Sequence, residues 1–204
     1  MPLEAGIGPE NPPCPACGEP LFGWVTAPAE PTVAVRRCES CGLGVLGDPG
    51  GAGEALSELE GLRLPGDGDP RYRLPNRSSI QASLGGRAWA LLDRGARYLF
   101  TPEAVRRLVA LRNQEVVRVR WRVGASLLGM WGTLLNIFTL GRNVALASLG
   151  RSDEAAAERG WQRALDGFIS VALAIPVMLA AILLESGAAL AGRGGVTEVT
   201  VRAE

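Results

Sequence analysis

The chain has 204 residues with 21 basic and 21 acidic side chains, so its net charge is zero; every base is arginine, and histidine is absent. A neutral balance argues against a nucleic-acid binder, which normally carries a basic excess. The lack of histidine removes the commonest general base and any His-ligated catalytic zinc.

Taken in chain order, the first segment, MPLEAGIGPENPP, is polar and proline-rich. It reads as neither signal nor anchor, and a cytoplasmic location is expected. All four cysteines follow in two matched knuckles, Cys14-Pro15-Ala16-Cys17-Gly18 and Cys38-Glu39-Ser40-Cys41-Gly42, with 20 residues between Cys17 and Cys38. Thiolates at both ends of a CxxC turn can face one ion, and two such turns close a tetrahedral shell of four sulfurs. The glycine after each second cysteine lets the turn close where a side chain would clash. Cys14, Cys17, Cys38 and Cys41 are therefore expected to hold a structural zinc. Two disulfides are the alternative, and an unexported chain disfavours them. Trp24-Val25 and Val33–Val35 read as the strands of this zinc ribbon, placed at residues 1–46.

Residues 47–70 are rich in Gly, Pro and Asp and read as a flexible linker around one short helix, Glu54–Leu62. Ser78-Ser79-Ile80-Gln81 has capping-box spacing, which predicts a helix start. Thr101-Pro102-Glu103 predicts another, with Thr101 as N-cap and Val105, Leu108 and Val109 as an apolar stripe. Glu115–Val123 has period two, with Val117, Val119, Trp121 and Val123 on a buried face and Arg118, Arg120 and Arg122 opposite. Ser152–Leu165 reads as an amphipathic helix capped by Ser152, with Trp161, Leu165 and Phe168 on one face. Val196–Arg202 is a closing strand.

Two runs, Gly124–Gly141 and Gly167–Leu184, carry no charge over 18 residues each. A spanning helix needs about 20 apolar residues, so the lengths are borderline. Three arrangements follow: a membrane hairpin with both chain ends cytoplasmic, a monotopic patch with Trp131 and Trp161 at headgroup level, or a plain buried helix pair.

The stretch from Pro75 to Arg120 also carries a resemblance. Pro75-Asn76, Gly86–Trp89, Phe100-Thr101-Pro102, the helix Pro102–Asn113 and the strand Glu115–Trp121 stand in the order and spacing of the C-terminal third of class I S-adenosylmethionine-dependent methyltransferases with an N-terminal zinc ribbon. Gly167–Leu190 and Val196–Arg202 resemble the apolar insertion and last strand of that family, and CPACG…CESCGLGVLGDP its ribbon. The resemblance covers residues 14–49 and about 72–204.

The family's middle is missing. Its cofactor site needs a strand, a glycine-rich loop, a helix and a second strand ending in an acid. Only 20 residues separate Gly53 from Leu74, and one βαβ unit takes about 30 or more. Gly50-Gly51-Ala52-Gly53 mimics the glycine loop superficially, so Gly51 and Gly53 are the only candidate cofactor positions, with Asp67 and Asp69 at the distance of the acid. No catalytic residue is assigned. Where relatives place histidines before the Phe-Thr-Pro turn, this chain has Ala96 and Leu99; Asp93, Arg94 and Tyr98 remain nearby, and Arg94 and Arg97 face either an anion or solvent.

The expected fold is therefore α+β. It comprises the ribbon, the linker, and a mostly helical body at 71–204 with a small sheet and an apolar helical insertion at 124–192. Glu115–Trp121 and Val196–Arg202 should pair antiparallel, with Arg71–Leu74 at an edge. The resemblance implies a reduced relative that binds zinc but not S-adenosylmethionine, acting as a non-catalytic scaffold or accessory protein. Its partner would be a full-length methyltransferase or a second copy, met through the sheet edge. The alternatives are an active or internally deleted methyltransferase, and a zinc-ribbon adaptor attached to the cytoplasmic face of the membrane.

Overall fold

A computed structural model describes residues 11–27, 33–92, 96–141, 143–149 and 160–203. The architecture is α+β, and both sheets are antiparallel.

The first sheet is the cysteine-rich one. β1 (Leu21–Ala27), β2 (Val33–Cys38) and β3 (Gly44–Leu46) lie side by side, and β5 (Tyr98–Leu99), from far along the chain, adds a fourth strand beside β3. Leu99 and Tyr98 pair with Gly44 and Val45. Gly44 is needed there, since a Cβ would stand 3.0 Å from the Leu99 side chain. Val35, Leu99, Trp89 and Ala82 form an apolar cluster beneath this sheet.

Residues 47–70, read as linker, hold the expected helix as α1 (Ala52–Gly61). Its Ala55, Leu56 and Leu59 are buried in the largest core cluster. Glu58 accepts from the Arg97 and Tyr98 backbone amides, and Glu60 accepts from the Tyr72 hydroxyl. The segment is thus tied to the body on both sides.

The second sheet has the order β4 (Arg71–Pro75), β7 (Val196–Ala203), β6 (Gln114–Trp121). β6 and β7 pair antiparallel, and the Arg71 stub pairs with β7 along Arg71–Pro75. α3 (Pro102–Ala110) covers one face, with Val105, Leu108 and Val109 buried as expected; Thr101 caps it by accepting from the Ala104 amide at 3.0 Å. The period of β6 differs from the sequence reading. A bulge between Val116 and Arg118 puts an extra residue opposite β7, so Val116 turns to the core and Val117 is exposed at 38%. Val123 lies in the next helix.

At the second helix start, α2 (Ile80–Gly85), the cap is Ser79 rather than Ser78: its Oγ accepts from the Ala82 amide at 3.1 Å. Gln81 does not complete a capping box; it is buried and donates to Glu185 while accepting from Trp89 Nε1. A 3-10 turn, Gly86–Ala88, follows.

The apolar runs form α4 (Val123–Phe138), a short α5 (Val144–Ser148) and α6 (Gly160–Leu190), the last of 31 residues with Pro176 inside it. The expected helix at Ser152–Leu165 falls partly outside the described residues; from Gly160 it is continuous with the second run. Met130, Trp131 and Leu135 of α4 pack on Val177 and Ala181 of α6 and on Ala90, Ala145 and Leu146. α4 is thereby held between α6 and the 80–92 segment. Gly129 makes the second contact close, and Gly132 the approach to α5: a Cβ on them would stand 2.9 Å from Leu91 and 2.7 Å from Leu146.

α6 is the outer layer. A buried stripe, Asp166, Val177, Ala181, Glu185 and Ala188, faces the protein. Both acids are satisfied there. Asp166 accepts from the Leu140 and Gly141 amides at 2.9 and 2.7 Å, and Glu185 accepts from Gly195 N at 2.7 Å, Gln81 and Ser126. The outward stripe is apolar: Phe168 is 71% exposed, Val171 79%, Ile175 75% and Leu183 75%. Only 17% of the most apolar 18-residue window is buried, so α6 is not the core helix of a buried pair.

Candidate metal centre

The four cysteines converge as their spacing predicts. All four Sγ atoms lie within 4.8 Å of one another; Cys14 to Cys41 is 3.6 Å and Cys17 to Cys38 is 3.4 Å. Sulfurs about 2.3 Å from a zinc at tetrahedral angles stand ~3.8 Å apart, so the donor set fits that ion. The separations are well beyond the ~2.05 Å of a disulfide, and the four thiols are free.

The two knuckles repeat one local geometry. Cys14 N donates to Glu19 O and Cys38 N to Leu43 O; Gly18 N donates to Cys14 O and Gly42 N to Cys38 O. Both glycines have positive φ, 78° and 76°, which is the conformational need that put glycine after each second cysteine. Cys14, Cys38 and Cys41 are almost fully buried, and Cys17 less so.

Electrostatics within the cluster favour ionisation at one corner. The hydrogen bond from Cys41 holds the Cys14 thiol down at about 5 against the opposing effect of burial. The same bond pushes Cys41 up, with burial adding to it, and burial pushes Cys17 up. A divalent ion held by Cys14, Cys17, Cys38 and Cys41 would take the place of the shared proton and let all four sulfurs carry charge.

The centre is joined to the body by residues that local reading of the knuckles misses. Thr101 Oγ1 donates to Cys41 O at 2.6 Å while capping α3. Its Cγ2 would be 2.9 Å from a Cβ at position 42. Arg107, on α3, donates to Ser40 Oγ at 3.1 Å and is kept protonated first by its hydrogen bond with Glu103 and further by the Cys17 sulfur. The only sequence signal for this was the Thr-Pro-Glu cap; its second role depends on a partner 60 residues away.

The other sequence candidates lie elsewhere. Gly51 is the N-cap of α1 and Gly53 sits in its first turn. The strand that precedes this loop is β3, an antiparallel member of the cysteine-rich sheet. Space beside Gly50 is filled: a Cβ would stand 2.5 Å from Glu54 Oε2 and 2.6 Å from the Tyr98 hydroxyl. The loop presents carbonyls, not amides, to these neighbours, with Asp48 O accepting from Arg97 Nε and Pro49 O from Tyr98. A Cβ at Gly51 or Gly53 would meet nothing within 4 Å. Arg97 is spent on this loop and on Glu54. Asp67 and Asp69 lie beside the second sheet, where Asp69 pairs with Arg202 at 2.9 Å. Asp93 and Arg94 fall outside the described residues.

A second charged cluster lies on the open face of the second sheet. Glu198, 3% exposed, is surrounded by Arg122 at 2.8 Å, Arg73 at 3.7 Å and Arg71 at 4.0 Å. Burial alone would raise its carboxyl, but the Arg122 hydrogen bond and the three guanidinium charges outweigh that and hold it below the usual range.

No family model, curated protein or solved structure matches this chain.

Proposed function

We propose that this chain is a membrane-associated zinc-ribbon adaptor that rests on a bilayer through the outward face of α6. The observation that carries the reading is the pairing of two facts on that helix. Its acids, Asp166 and Glu185, are buried against protein, and its outward side exposes ten large apolar residues between Trp161 and Leu190. A patch of this length is far beyond the scattered exposed hydrophobics of a soluble surface. Covering even half of those side chains is worth on the order of 10 kcal/mol.

An interfacial seat fits the geometry better than a spanning hairpin. α4 has 16 residues, about 24 Å at 1.5 Å per residue, against ~30 Å of hydrocarbon. A 3-10 turn and the irregular backbone after it also run beside α4, where Ala90 N donates to Thr133 Oγ1 and Asn136 Nδ2 donates to Ala88 O. In a spanning arrangement this segment, with Arg87 exposed, would sit at membrane depth. Flotation with lipid vesicles tests the reading. The wild-type chain should float, and Ile175→Glu with Leu179→Glu should remain in solution with unchanged helicity, since both positions are exposed. A wild-type chain that stays out of the vesicle fraction sinks it.

A second reading is supported by the order β4-β7-β6. What supports it is the antiparallel pairing of β6 with β7 and the pairing of Arg71–Pro75 at the other side of β7, both expected from the resemblance to zinc-ribbon methyltransferases. In this reading the chain is a reduced, non-catalytic relative that serves as scaffold for a full-length methyltransferase. Micromolar binding of S-adenosylmethionine to the purified chain would favour instead an active or internally deleted enzyme.

A further inference from the structure

α6 ends beside β6, the edge strand of the second sheet, where two cavities share a lining residue. One, of about 500 Å3, is lined by Trp121, Val123, Ser186, Ala189 and Leu190 together with Arg120 and Arg122, and by no carboxylate. It continues the apolar outward face of α6, on which Leu183 is 75% and Leu190 92% exposed. The other, of about 530 Å3, is a charged groove over β4, β7 and β6 in which Arg118 and Arg120 project beside Arg71 and Thr200. Arg120 lines both cavities, so they adjoin at β6, which is an edge strand of the sheet.

The arginines outnumber their partners. Glu198 is shared by Arg71, Arg73 and Arg122. Arg202 is matched by Asp69, and Asp67 lies at the same end of the groove. Arg118 and Arg120 are exposed and have no ion-pair partner among the described residues. They sit on one face of β6, two residues apart, ~7 Å along the strand. The cationic excess therefore lies on the side of the groove that meets the apolar cavity.

We infer that Arg118 and Arg120 bind the phosphate-bearing headgroup of an anionic glycerophospholipid, whose acyl chains lie in the Val123–Leu190 cavity and along α6. The inference rests on the adaptor reading above and adds the lipid class and the site. Charge complementarity selects the occupant. A second copy of this chain would bring the same arginines to the same place, and a neutral lipid would leave two exposed cations without an opposite charge at the rim of an apolar cleft. Arginine is suited to the role, because its planar fork can hold two phosphate oxygens at once. The half-buried Trp121 between the cavity and the strand places an amphipathic ring at headgroup depth.

Co-sedimentation with two vesicle preparations tests this: phosphatidylcholine alone, and equal parts of phosphatidylcholine and phosphatidylglycerol. The wild-type chain should bind both and prefer the anionic vesicles. Arg118→Gln with Arg120→Gln should keep its binding to neutral vesicles and lose about thirtyfold on the anionic ones, taking each basic residue near the surface at ~1 kcal/mol. Both side chains are exposed, so the fold should tolerate the change; an unchanged zinc content and circular dichroism spectrum verify that. Arg118→Lys with Arg120→Lys should retain more of the preference than the glutamine pair. Equal wild-type binding to both vesicles, or an undiminished preference in the glutamine variant, overturns the headgroup site and leaves the adaptor reading standing. Absence of binding to either vesicle overturns both.

Discussion

At the scale of single residues, Glu198 shows how magnitude decides between opposing effects. It is 3% exposed, and burial penalises a lone carboxylate heavily, yet the carboxyl is held below its ordinary range because Arg122, Arg71 and Arg73 converge on it. A group depressed on folding contributes stability that is present above its unfolded value and lost as pH falls through its folded value. Glu198→Gln should therefore be less stable than wild type at neutral pH, and the gap should close as the pH drops below the ordinary glutamate range of about 4.3. The measurement is the denaturation midpoint of both proteins across that range. Taking their difference removes the common loss that follows when the cysteine ligands are protonated. A gap that stays constant down to the most acid condition would show that the arginines do not hold the carboxyl charged.

Among the elements, α4 separates what packing requires from what composition suggests. Small residues such as its glycines could serve close helix packing in lipid or simply reflect composition. Gly129 and Gly132 instead face the 80–92 segment and α5, where a Cβ would collide with Leu91, Gln81, Leu146 and Ala90, while Gly124 has open space around it. Gly132→Val should cost about 1–3 kcal/mol, the usual penalty of overpacking, and Gly124→Ala should cost nothing or stabilise slightly by raising helix propensity. Chemical denaturation of the two variants checks the contrast; equal effects would mean that the close approach is not what holds α4 in place. The same elements show which parts of the fold were legible. The cap at Thr101 and the apolar stripe of α3 were readable because a cap and a 3.6-residue period are local. The bulge at Val117 was not, because it is defined by the register against β7, about 80 residues on. Nor could sequence separate the two faces of α6. Its acids, Asp166 and Glu185, lie in the stripe covered by protein with Val177 and Ala181, the reverse of an ordinary amphipathic helix whose charges face water. The bulge and the arginines of β6 bear on assembly too. They are the usual devices that protect an edge strand from pairing, and they tell against a second copy joining the sheet at β6.

For the molecule as a whole, the metal centre and the body share one core, although the ribbon reads from sequence as a module of its own. Cys14, Cys38 and Cys41 belong to the same buried cluster as Leu59 of α1, Leu108 of α3 and Val199 and Val201 of β7. β5 completes the cysteine-rich sheet, and Thr101 links the second knuckle to α3. The ligands themselves were legible because each pair is a self-contained turn with its own glycine. Their fusion to the body was not, since it depends on residues 98–109 returning to the knuckles. Structural zinc contributes on the order of 10 kcal/mol of folding free energy in zinc-finger peptides, while a domain of ordinary stability has only 5–15 kcal/mol in all. Removing the metal should therefore unfold more than the knuckles. With a zinc chelator, or in Cys38→Ser, the near-ultraviolet signal of Trp24 and Trp89, which meet edge to face at 6.4 Å, should disappear together with the hydrogen-exchange protection of β7, in one transition that added zinc reverses in the wild-type chain. An independent ribbon would give a different result, in which chelation abolishes the knuckle signals and leaves β4, β7 and α3 protected.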